Sequence, residues 1–311
     1  MAERATVRIS GRTALVTGSS QGWGLGIAKA FAHRGVDVVV TGATPARVAE
    51  AERAVRTIAA GKVASVVADL TTREGCEMLV ERATAAVGTI EILVNNAGKV
   101  EAGTILETTP EQWRGVMALS LDAQFHMTQL VARRLVAEDK GGRIINMAGG
   151  AAFSGMANYA SHAASKGGGM GAVLSWAREL GPHGITVNAL AGRIETAQSQ
   201  PFLDGMRAEL VAKGLPPRTN RELGYYPPDE LAAAVVWLAS EGAAMVNGRM
   251  LHASGPELQI WRMATIEHAI HNATEPWTPE LLDRIGLADM LALGHGLEPR
   301  RPREPIVTIR K

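Results

Sequence analysis

Residues 17–26 read TGSSQGWGLG, and the character of the chain changes on either side of them. An apolar run at residues 13–17 leads into this stretch, and a helical pattern at residues 27–32 follows it. In the context of a strand, a glycine-rich turn and a helix, glycines let the backbone approach a phosphate closely. The free N–H groups and positive dipole end of the following helix attract the same anion. The stretch therefore predicts a dinucleotide site over the first β-α turn of an α/β sheet.

Bulk composition narrows the class of protein. The 311 residues suit one large domain, or one domain with an appendage, and 46% hydrophobic residues support a sizeable core. A net charge of +1 gives no electrostatic reason to expect a nucleic acid or an anionic membrane as a partner. The single cysteine, Cys76, excludes an internal disulfide framework and fits a reducing compartment. With no apolar leader and no run of membrane-spanning length, we expect a soluble cytoplasmic protein.

Short β-rich runs alternate with longer helical patterns along most of the chain. Strands are expected at residues 13–17, 36–41, 63–68, 90–94, 143–147, 186–190 and 249–253. Helices are expected at residues 24–34, 46–59, 71–87, 110–138, 162–180 and 228–240. The alternation predicts a doubly wound, parallel, seven-stranded, Rossmann-like sheet with helices on both faces. We predict a dinucleotide-binding domain over residues 1–256 and a C-terminal extension over residues 257–311, with a candidate helix at 279–293.

Several motifs, in order, resemble those of the short-chain dehydrogenase/reductase family over residues 12–255. They are the glycine stretch, Ala68-Asp69-Leu70 after strand three, Asn95-Asn96-Ala97-Gly98 after strand four, and residues 181–188 before strand six. The resemblance implies an NAD(P)-dependent oxidoreductase that acts on a small-molecule substrate. It assigns the cofactor to Gly18, Ser20, Gln21, Gly22, Trp23, Gly24, Asp69, Leu70, Asn95, Ala97, Gly98, Lys166, Gly192, Ile194 and Thr196.

The position that distinguishes the two nicotinamide cofactors lies after strand two. NAD-preferring members of the family carry an Asp there, whereas this chain has Thr41-Gly42-Ala43. Without a carboxylate to repel a 2′-phosphate, NADP is slightly preferred over NAD. The Arg that usually holds that phosphate is also absent. Arg47, one helical turn further on, is either its replacement or an ordinary solvated helix charge.

The family's catalytic residues are where this chain departs most. The resemblance implies a Tyr-x-x-x-Lys pair, a Ser thirteen residues before the Tyr, and an Asn on the preceding long helix. Alignment on residues 165–168 makes Lys166 the lysine. At the Tyr, Ser and Asn positions stand His162, Gly149 and Ser120, so three of four identities are replaced while the spacing survives.

Three interpretations of this replacement remain open. In the first, His162 exchanges the substrate proton, because imidazole titrates near neutrality, and Lys166 favours its neutral form. Ser154, Tyr159 or Ser161 then supplies the missing hydroxyl, and Tyr159 is the catalytic candidate among them. In the second, the His162/Lys166 pair catalyses a lyase, isomerase or dehydratase reaction. In the third, the chain is a non-catalytic structural subunit. We predict the first, with interconversion of a carbonyl and an alcohol.

The predicted substrate cleft adds a charged pair and a lid. Where the family has Pro-Gly after strand six, this chain is one residue short and lacks the Pro. The next residues, Arg193 and Glu195, either form a surface ion pair or, through Arg193, recognise a carboxylate or similar anion. Residues 197–226 have the length and Pro/Gly content of a substrate lid.

Two further expectations concern metals and assembly. His268 and His271 have the spacing of helical metal ligands, but no matching ligands accompany them, so no metal is predicted. The family commonly assembles through its long helices, which implies a homodimer or homotetramer. Neither a nucleic acid nor a membrane is expected as a partner.

Overall fold

In the computed structural model, which describes residues 7–9, 11–261 and 278, strands and helices alternate along the chain. The strands are β1 Thr13–Val16, β2 Asp37–Gly42, β3 Val63–Val67, β4 Ile92–Asn95, β5 Gly142–Met147, β6 Ile185–Gly192, β7 Met250–Ser254 and β8 Glu257–Trp261. The helices are α1 Gly22–Ala32, α2 Pro45–Arg56, α3 Arg73–Val87, α4 Pro110–Met117, α5 Ala123–Ala137, α6 Ala151–Ser154, α7 Ala160–Leu180, α8 Gln200–Ala212 and α9 Pro228–Leu238.

One sheet contains the eight described strands in the order β3-β2-β1-β4-β5-β6-β7-β8. The order reverses between β1 and β4, and the carboxyl ends of the strands on either side of such a reversal open a crevice for ligands. This confirms the predicted doubly wound sheet. The predicted count of seven strands is wrong, because Gly255 takes a left-handed φ of +56° and turns the chain back. β8 then pairs antiparallel with β7, beyond the domain boundary predicted after residue 256.

Apolar side chains cover both faces of the sheet and fix its position under the helices. On one face α1 and α9 contribute Ile27, Phe31 and Val235, all fully buried. On the other face α3 and α5 contribute Leu79 and Met127, also fully buried. Strands that are buried on both faces in this way are held rigidly, so the loops at their carboxyl ends have defined positions.

The long helix predicted at residues 110–138 is continuous but not uniform. Thr109 and Gln112 form a capping box at the start of α4. Between α4 and α5, Ala118–Asp122 form a π turn, a widened turn that occurs frequently at functional sites. Ser120 lies within it and is fully buried.

The predicted lid, residues 197–226, contains α8 and a short 3₁₀ turn, Arg221–Leu223. At its start, Gln198 Nε2 donates a hydrogen bond to the Gly98 carbonyl at 3.2 Å. No helix in the described part of the chain is both long and apolar enough to cross a membrane. The same residues contain no group of three or more side chains that could hold a metal ion. The helix predicted at 279–293 and the His268/His271 pair lie outside the described residues.

Candidate active site

The glycine loop between β1 and α1 leaves an open cradle of backbone. Gly18 and Gly22 adopt left-handed φ angles of +64° and +58°, which side-chain-bearing residues rarely take. A Cβ at Gly24 would lie 2.5 Å from both Asn96 Nδ2 and the Gly18 carbonyl oxygen. Only glycine fits there, because the helix N-terminus and the loop approach each other so closely.

The segment after β4 fixes the cradle in place. Asn96 Nδ2 donates to the carbonyls of Thr17 and Gly18, at 2.9 and 3.2 Å. The hydroxyl of Thr17 in turn accepts from the backbone N–H groups of Asn96 and Ala97, at 2.9 and 3.0 Å. The sequence predictions did not include Asn96 among the site residues, although it lies inside a quoted motif.

Asn95, which was predicted to bind the cofactor, turns its side chain into the protein. Its Nδ2 donates to Thr128 Oγ1 at 3.0 Å and to Asn146 Oδ1 at 2.9 Å. All three side chains are buried, so the amide ties β4 to β5 and α5 beneath the cofactor cradle.

The loop after β6 closes one side of the cradle. A Cβ at Gly22 would lie 3.4 Å from Thr196 Cγ2, and a Cβ at Gly192 would lie 3.0 Å from Trp23 Cη2. Trp23 is buried, and its indole N–H has no hydrogen-bond partner among the described residues. An open glycine cradle with an unused buried donor fits a bound dinucleotide, with Ile194 and Thr196 beside it.

Residues after β2 and β3, to which the resemblance assigns the adenosine end of the cofactor, lie at the other side of the cradle. Asp69 accepts hydrogen bonds from the Thr71 backbone N–H and hydroxyl, which lower the pKa of its carboxyl group. Leu70 beside it is buried. Arg47 Nη1 donates to Gln21 Oε1 at 3.1 Å, which brings this exposed cation to the glycine loop.

Ser20 lies beside the position after β2 that distinguishes NAD from NADP. A Cβ at Gly42 would lie 2.6 Å from the Ser20 hydroxyl. The carboxylate of β2, Asp37, stands at the opposite end of the strand and accepts from the Lys62 backbone N–H. The Ser20 hydroxyl therefore lies beside Gly42, whereas the carboxylate of β2 lies at the far end of the strand.

His162 and Lys166 meet beside Gly149. Lys166 Nζ donates to the Met147 carbonyl at 2.8 Å, and a Cβ at Gly149 would lie 3.2 Å from Lys166 Cγ. The same Cβ would lie 3.5 Å from His162 Nε2. The imidazole therefore faces the position from which a serine side chain would extend.

Burial sets the charge of both groups. It lowers the pKa of His162 to about 4, and the positive charge of Lys166 adds to that effect. Burial likewise lowers the pKa of Lys166 to about 8. His162 is therefore a neutral imidazole at pH 7, and its buried Nδ1 has no described hydrogen-bond partner.

Ser120 and Lys166 converge on Gly98 from two helices. Ser120 Oγ accepts from the Lys99 backbone N–H at 2.9 Å and donates to the Lys99 carbonyl at 3.3 Å. A Cβ at Gly98 would lie 3.4 Å from Ser120 Oγ and 3.9 Å from Lys166 Nζ. The Ser120 hydroxyl therefore anchors the loop at Gly98 and Lys99, and Lys166 faces the same loop.

Tyr159, a predicted catalytic residue, packs its ring against the lid. It precedes α7 with non-helical backbone angles, and its ring lies edge-on to Phe202 with centroids 6.4 Å apart. Phe202 in turn lies 6.3 Å from the Tyr225 ring. These three aromatic side chains join the start of α7 to both ends of the lid.

The two charged residues after β6 do not pair with each other. β6 runs without the family's proline as far as Gly192, which is in register with Ala253. Glu195 accepts a hydrogen bond from the Asn220 side chain, within the lid. Arg193 has no ion pair with any described residue, so the first of its two predicted roles is not formed.

Comparisons with known proteins agree with this geometry. The short chain dehydrogenase family model matches residues 12–205. The 2-dehydro-3-deoxy-D-gluconate 5-dehydrogenase of Escherichia coli K12 is 34% identical over 251 residues, covering 79% of this chain and 95% of the relative. The 3-oxoacyl-acyl-carrier-protein reductase FabG of Vibrio cholerae is 33% identical over 250 residues, covering 80% and 98%.

A solved structure extends the likeness over nearly the whole chain. A short chain dehydrogenase from Mycobacterium avium superposes with a TM-score of 0.74 at 26% identity, covering 97% of this chain and 99% of that one. The glycine loop, the segment Asn95–Gly98 and Lys166 carry the motifs on which the resemblance to this family rests. This chain belongs to the short-chain dehydrogenase/reductase family and is an NAD(P)-dependent enzyme of that family.

Proposed function

We propose that this enzyme interconverts a carbonyl and an alcohol on a small organic substrate, and that His162 handles the proton in place of the family's tyrosine. The observation that carries the proposal is the position of His162. Its Nε2 faces Gly149, and it lies four residues, about one helical turn, before the buried Lys166. The imidazole is thus presented to the same space that a Tyr and a Ser would share.

The cofactor, when bound, supplies or takes up the hydride at the reacting carbon. In the oxidation direction His162 Nε2 accepts the hydroxyl proton as the C–H bond breaks and the C=O bond forms. Burial and Lys166 disfavour the resulting imidazolium, so the proton passes on to solvent water. In the reduction direction the steps reverse: His162 takes a proton from solvent, and the imidazolium gives its Nε2 proton to the carbonyl oxygen as the hydride reaches the carbon.

Lys166 positions the cofactor in this proposal. Its Nζ is held by the Met147 carbonyl at 2.8 Å and faces Gly98, beside the expected nicotinamide ribose. Ser120 acts through the loop it anchors at Lys99, and it is a positioning residue. Tyr159 is supported as part of the substrate wall, since its ring packs on Phe202 of the lid.

The test is turnover of a panel of carbonyl compounds with NADPH and NADH, in wild type and His162→Ala. We expect kcat to fall by about 10²–10⁴-fold, the usual contribution of a positioned acid or base. Cofactor affinity should stay within about twofold, because the cradle is formed elsewhere. His183→Ala, at an exposed turn, serves as the matched control. Unchanged kcat in His162→Ala would remove this residue from the mechanism.

One observation favours a second candidate, a non-redox proton transfer. A neutral imidazole lies beside a lysine whose pKa burial lowers to about 8, and such a pair is suited to removing a proton next to a carbonyl. Deuterium exchange into a bound ketone without any change in nicotinamide absorbance would favour this candidate. Oxidation of the nicotinamide in step with ketone loss would favour the first.

We also propose NADP as the preferred cofactor. Support comes from the surroundings of Gly42, where Ser20 supplies a hydroxyl and Arg47 reaches the glycine loop. A guanidinium recognises a phosphate monoester well, because its planar donors match the phosphate oxygens. Parallel titrations of NADPH and NADH test this preference.

Assembly as a homodimer or homotetramer in the cytoplasm completes the proposal. Its support is a groove between α5 and α7 that exposes apolar side chains. Phe125 and Val136 on α5 are 42% and 38% exposed, and the Phe125 ring lies 6.5 Å from Trp176 on α7. A contiguous apolar face of this kind favours association. Phe125→Asp should shift the mass measured by sedimentation towards the monomer.

A further inference from the structure

Arg193 carries a positive charge that no described acidic side chain neutralises. It lies one residue beyond β6, and its Nη1 would be 3.0 Å from a Cβ at Gly224, whose φ is +81°. The carboxylate two residues further on, Glu195, is occupied by Asn220 of the lid. The guanidinium is exposed, lies against the lid at Gly224, and donates to no described residue.

One set of neighbours leads from Arg193 along the lid to Tyr159, at the start of the helix that carries His162. The charge of Arg193 acts on Tyr225 and lowers its pKa, against a larger upward shift that burial causes. The Tyr225 ring lies 6.3 Å from Phe202, which lies 6.4 Å from Tyr159. Tyr159 is three residues before His162, at the start of α7.

A second set of contacts leads back through β7 and β8. His252 on β7 is in register with Ala191 on β6, two residues before Arg193. Burial lowers the pKa of His252, and the positive charge of Arg193 adds to that effect. The His252 ring stacks on Trp261, with centroids 5.4 Å apart and planes 17° apart. Trp261 Cη2 would lie 3.5 Å from a Cβ at Gly150, and Gly149 next to it faces His162. The eighth strand thus forms one wall of the site.

His252 supplies a second, independent sign of a ligand. It is 7% exposed, and its Nδ1 has no hydrogen-bond partner among the described residues. A buried imidazole nitrogen without a partner is costly unless something else satisfies it. It lies in the same ring of contacts as the unpaired Arg193 and the hydroxyl of Tyr225.

We infer that the substrate carries a carboxylate, which binds Arg193 while the reacting carbon lies beside His162. This inference rests on the proposed function and narrows its substrate to hydroxy acids and their oxo acids. A single planar guanidinium matches a carboxylate through two parallel hydrogen bonds. A phosphate dianion fits less well, because Glu257 places a negative charge near His252.

The test is calorimetric binding to the enzyme saturated with NADP⁺. The probes are lactate, 3-hydroxybutyrate and gluconate, each compared with its neutral amide. We expect at least one acid to bind tighter than its amide by about tenfold or more, the value of one charge-assisted pair. In Arg193→Gln the ratio of the two affinities should fall to near one. Arg193→Lys should restore part of it, since a point charge replaces the fork. Arg218→Gln, at an exposed arginine of the lid, should leave the ratio as in wild type.

The outcomes separate this inference from the proposed function. If no acid binds better than its amide, or if Arg193→Gln keeps the ratio, the carboxylate site is overturned. Tighter binding of a sugar phosphate, or of a neutral acyl thioester, than of every acid would also overturn it. Acids that bind through Arg193 but are never oxidised leave the carboxylate site standing and contradict the proposed function. Oxidation of neutral alcohols without any preference for acids would overturn the carboxylate site and leave the proposed function standing.

Discussion

The cofactor half of this site is held together by a network of hydrogen bonds that the substrate half lacks, although Trp23 Nε1 and Asn95 Oδ1 in the cofactor half also have no partner among the described residues. Around β1 and β4, four hydrogen bonds join Thr17 and Gly18 to Asn96 and Ala97. Around β5 and β7, the buried Nδ1 atoms of His162 and His252 have no partner among the described residues. Paired groups build a rigid cradle, whereas unpaired buried groups leave capacity for a ligand.

The difference follows from what each half must bind. A pyrophosphate needs closely approaching backbone, which glycines and the hydrogen bonds of Asn96 provide within short motifs. A substrate differs from one member to the next, and the lid is tied down by contacts of this chain's own, such as Asn220 with Glu195. The lesson is that the first half can be recognised by motif and the second must be worked out from contacts.

The largest effect is expected from closing the cradle with Gly24→Ala. The added Cβ would lie 2.5 Å from the Gly18 carbonyl and 2.9 Å from Ser19 Cα, so backbone must move. Cofactor affinity should fall by about 100-fold or more, because the phosphate-binding N–H groups shift with it. Gly171→Ala in α7, where a Cβ meets nothing within 4 Å, is the control. Equal cofactor affinity in both variants would contradict the assignment of the cofactor to the glycine cradle.

The substrate half should make folding stability depend on pH in the acid range. His162 has a pKa near 6.5 when unfolded and about 4 when folded. The unfolded chain therefore binds a proton first as pH falls, and stability is lost between pH 6.5 and 4. His162→Gln should remove about 2–3 kcal/mol of that loss. Urea unfolding at a series of pH values measures it.

The control for His162→Gln is the same substitution at an exposed histidine. His183→Gln, at an exposed turn, should keep the wild-type profile of stability against pH. If the two variants lose stability in parallel between pH 6.5 and 4, the imidazole of His162 is not held neutral by burial. His162 would then contribute no more to the pH dependence of stability than an exposed histidine does.

A third change separates the two causes acting on His162. Lys166→Met removes a positive charge but leaves burial, which is the larger cause, in place. The pKa of His162 should therefore rise without returning to 6.5. Titration of the labelled imidazole by NMR would show the midpoint. A midpoint that stays at its wild-type value would mean that Lys166 does not act on His162.

The smallest effect is expected at the edge of the cradle. Arg47→Gln should weaken NADPH binding by about tenfold, the loss of one exposed charge-assisted contact, and leave NADH binding nearly as before. Arg53→Gln, on the same helix and also exposed, should change neither affinity. Equal losses for both cofactors would assign Arg47 to the loop through Gln21 and not to a phosphate.

The fold was largely predictable because its signals are local. Glycines at 18, 22 and 24, apolar strands and capped helices each restrict the backbone nearby, and together they predicted the parallel sheet. β8 was missed since it follows a two-residue turn and belongs to no β-α unit. The π turn at Ser120 was missed because one added residue per turn leaves the helical pattern almost unchanged.

Sequence motifs brought out the cofactor loops and the group of Lys166, His162 and Gly149, but not the contacts of Arg193 with the lid and β7. Lys166, His162 and Gly149 were found by spacing, which places them together whatever their chemistry. The ring that joins Arg193, Tyr225, His252 and Trp261 comes from four separate segments, and no periodicity in the sequence relates them. Burial, which sets the pKa of His162, is likewise a property of the folded chain alone.

The central claim is that the altered catalytic residues stand on a working nicotinamide site. Calorimetric titration of the purified protein with NADPH and with NADH, run in parallel, tests it most directly. The account predicts saturable binding of one cofactor per chain, with NADPH the tighter of the two. Absence of binding by either cofactor at millimolar concentration would contradict hydride transfer and leave non-redox chemistry or a structural role in its place.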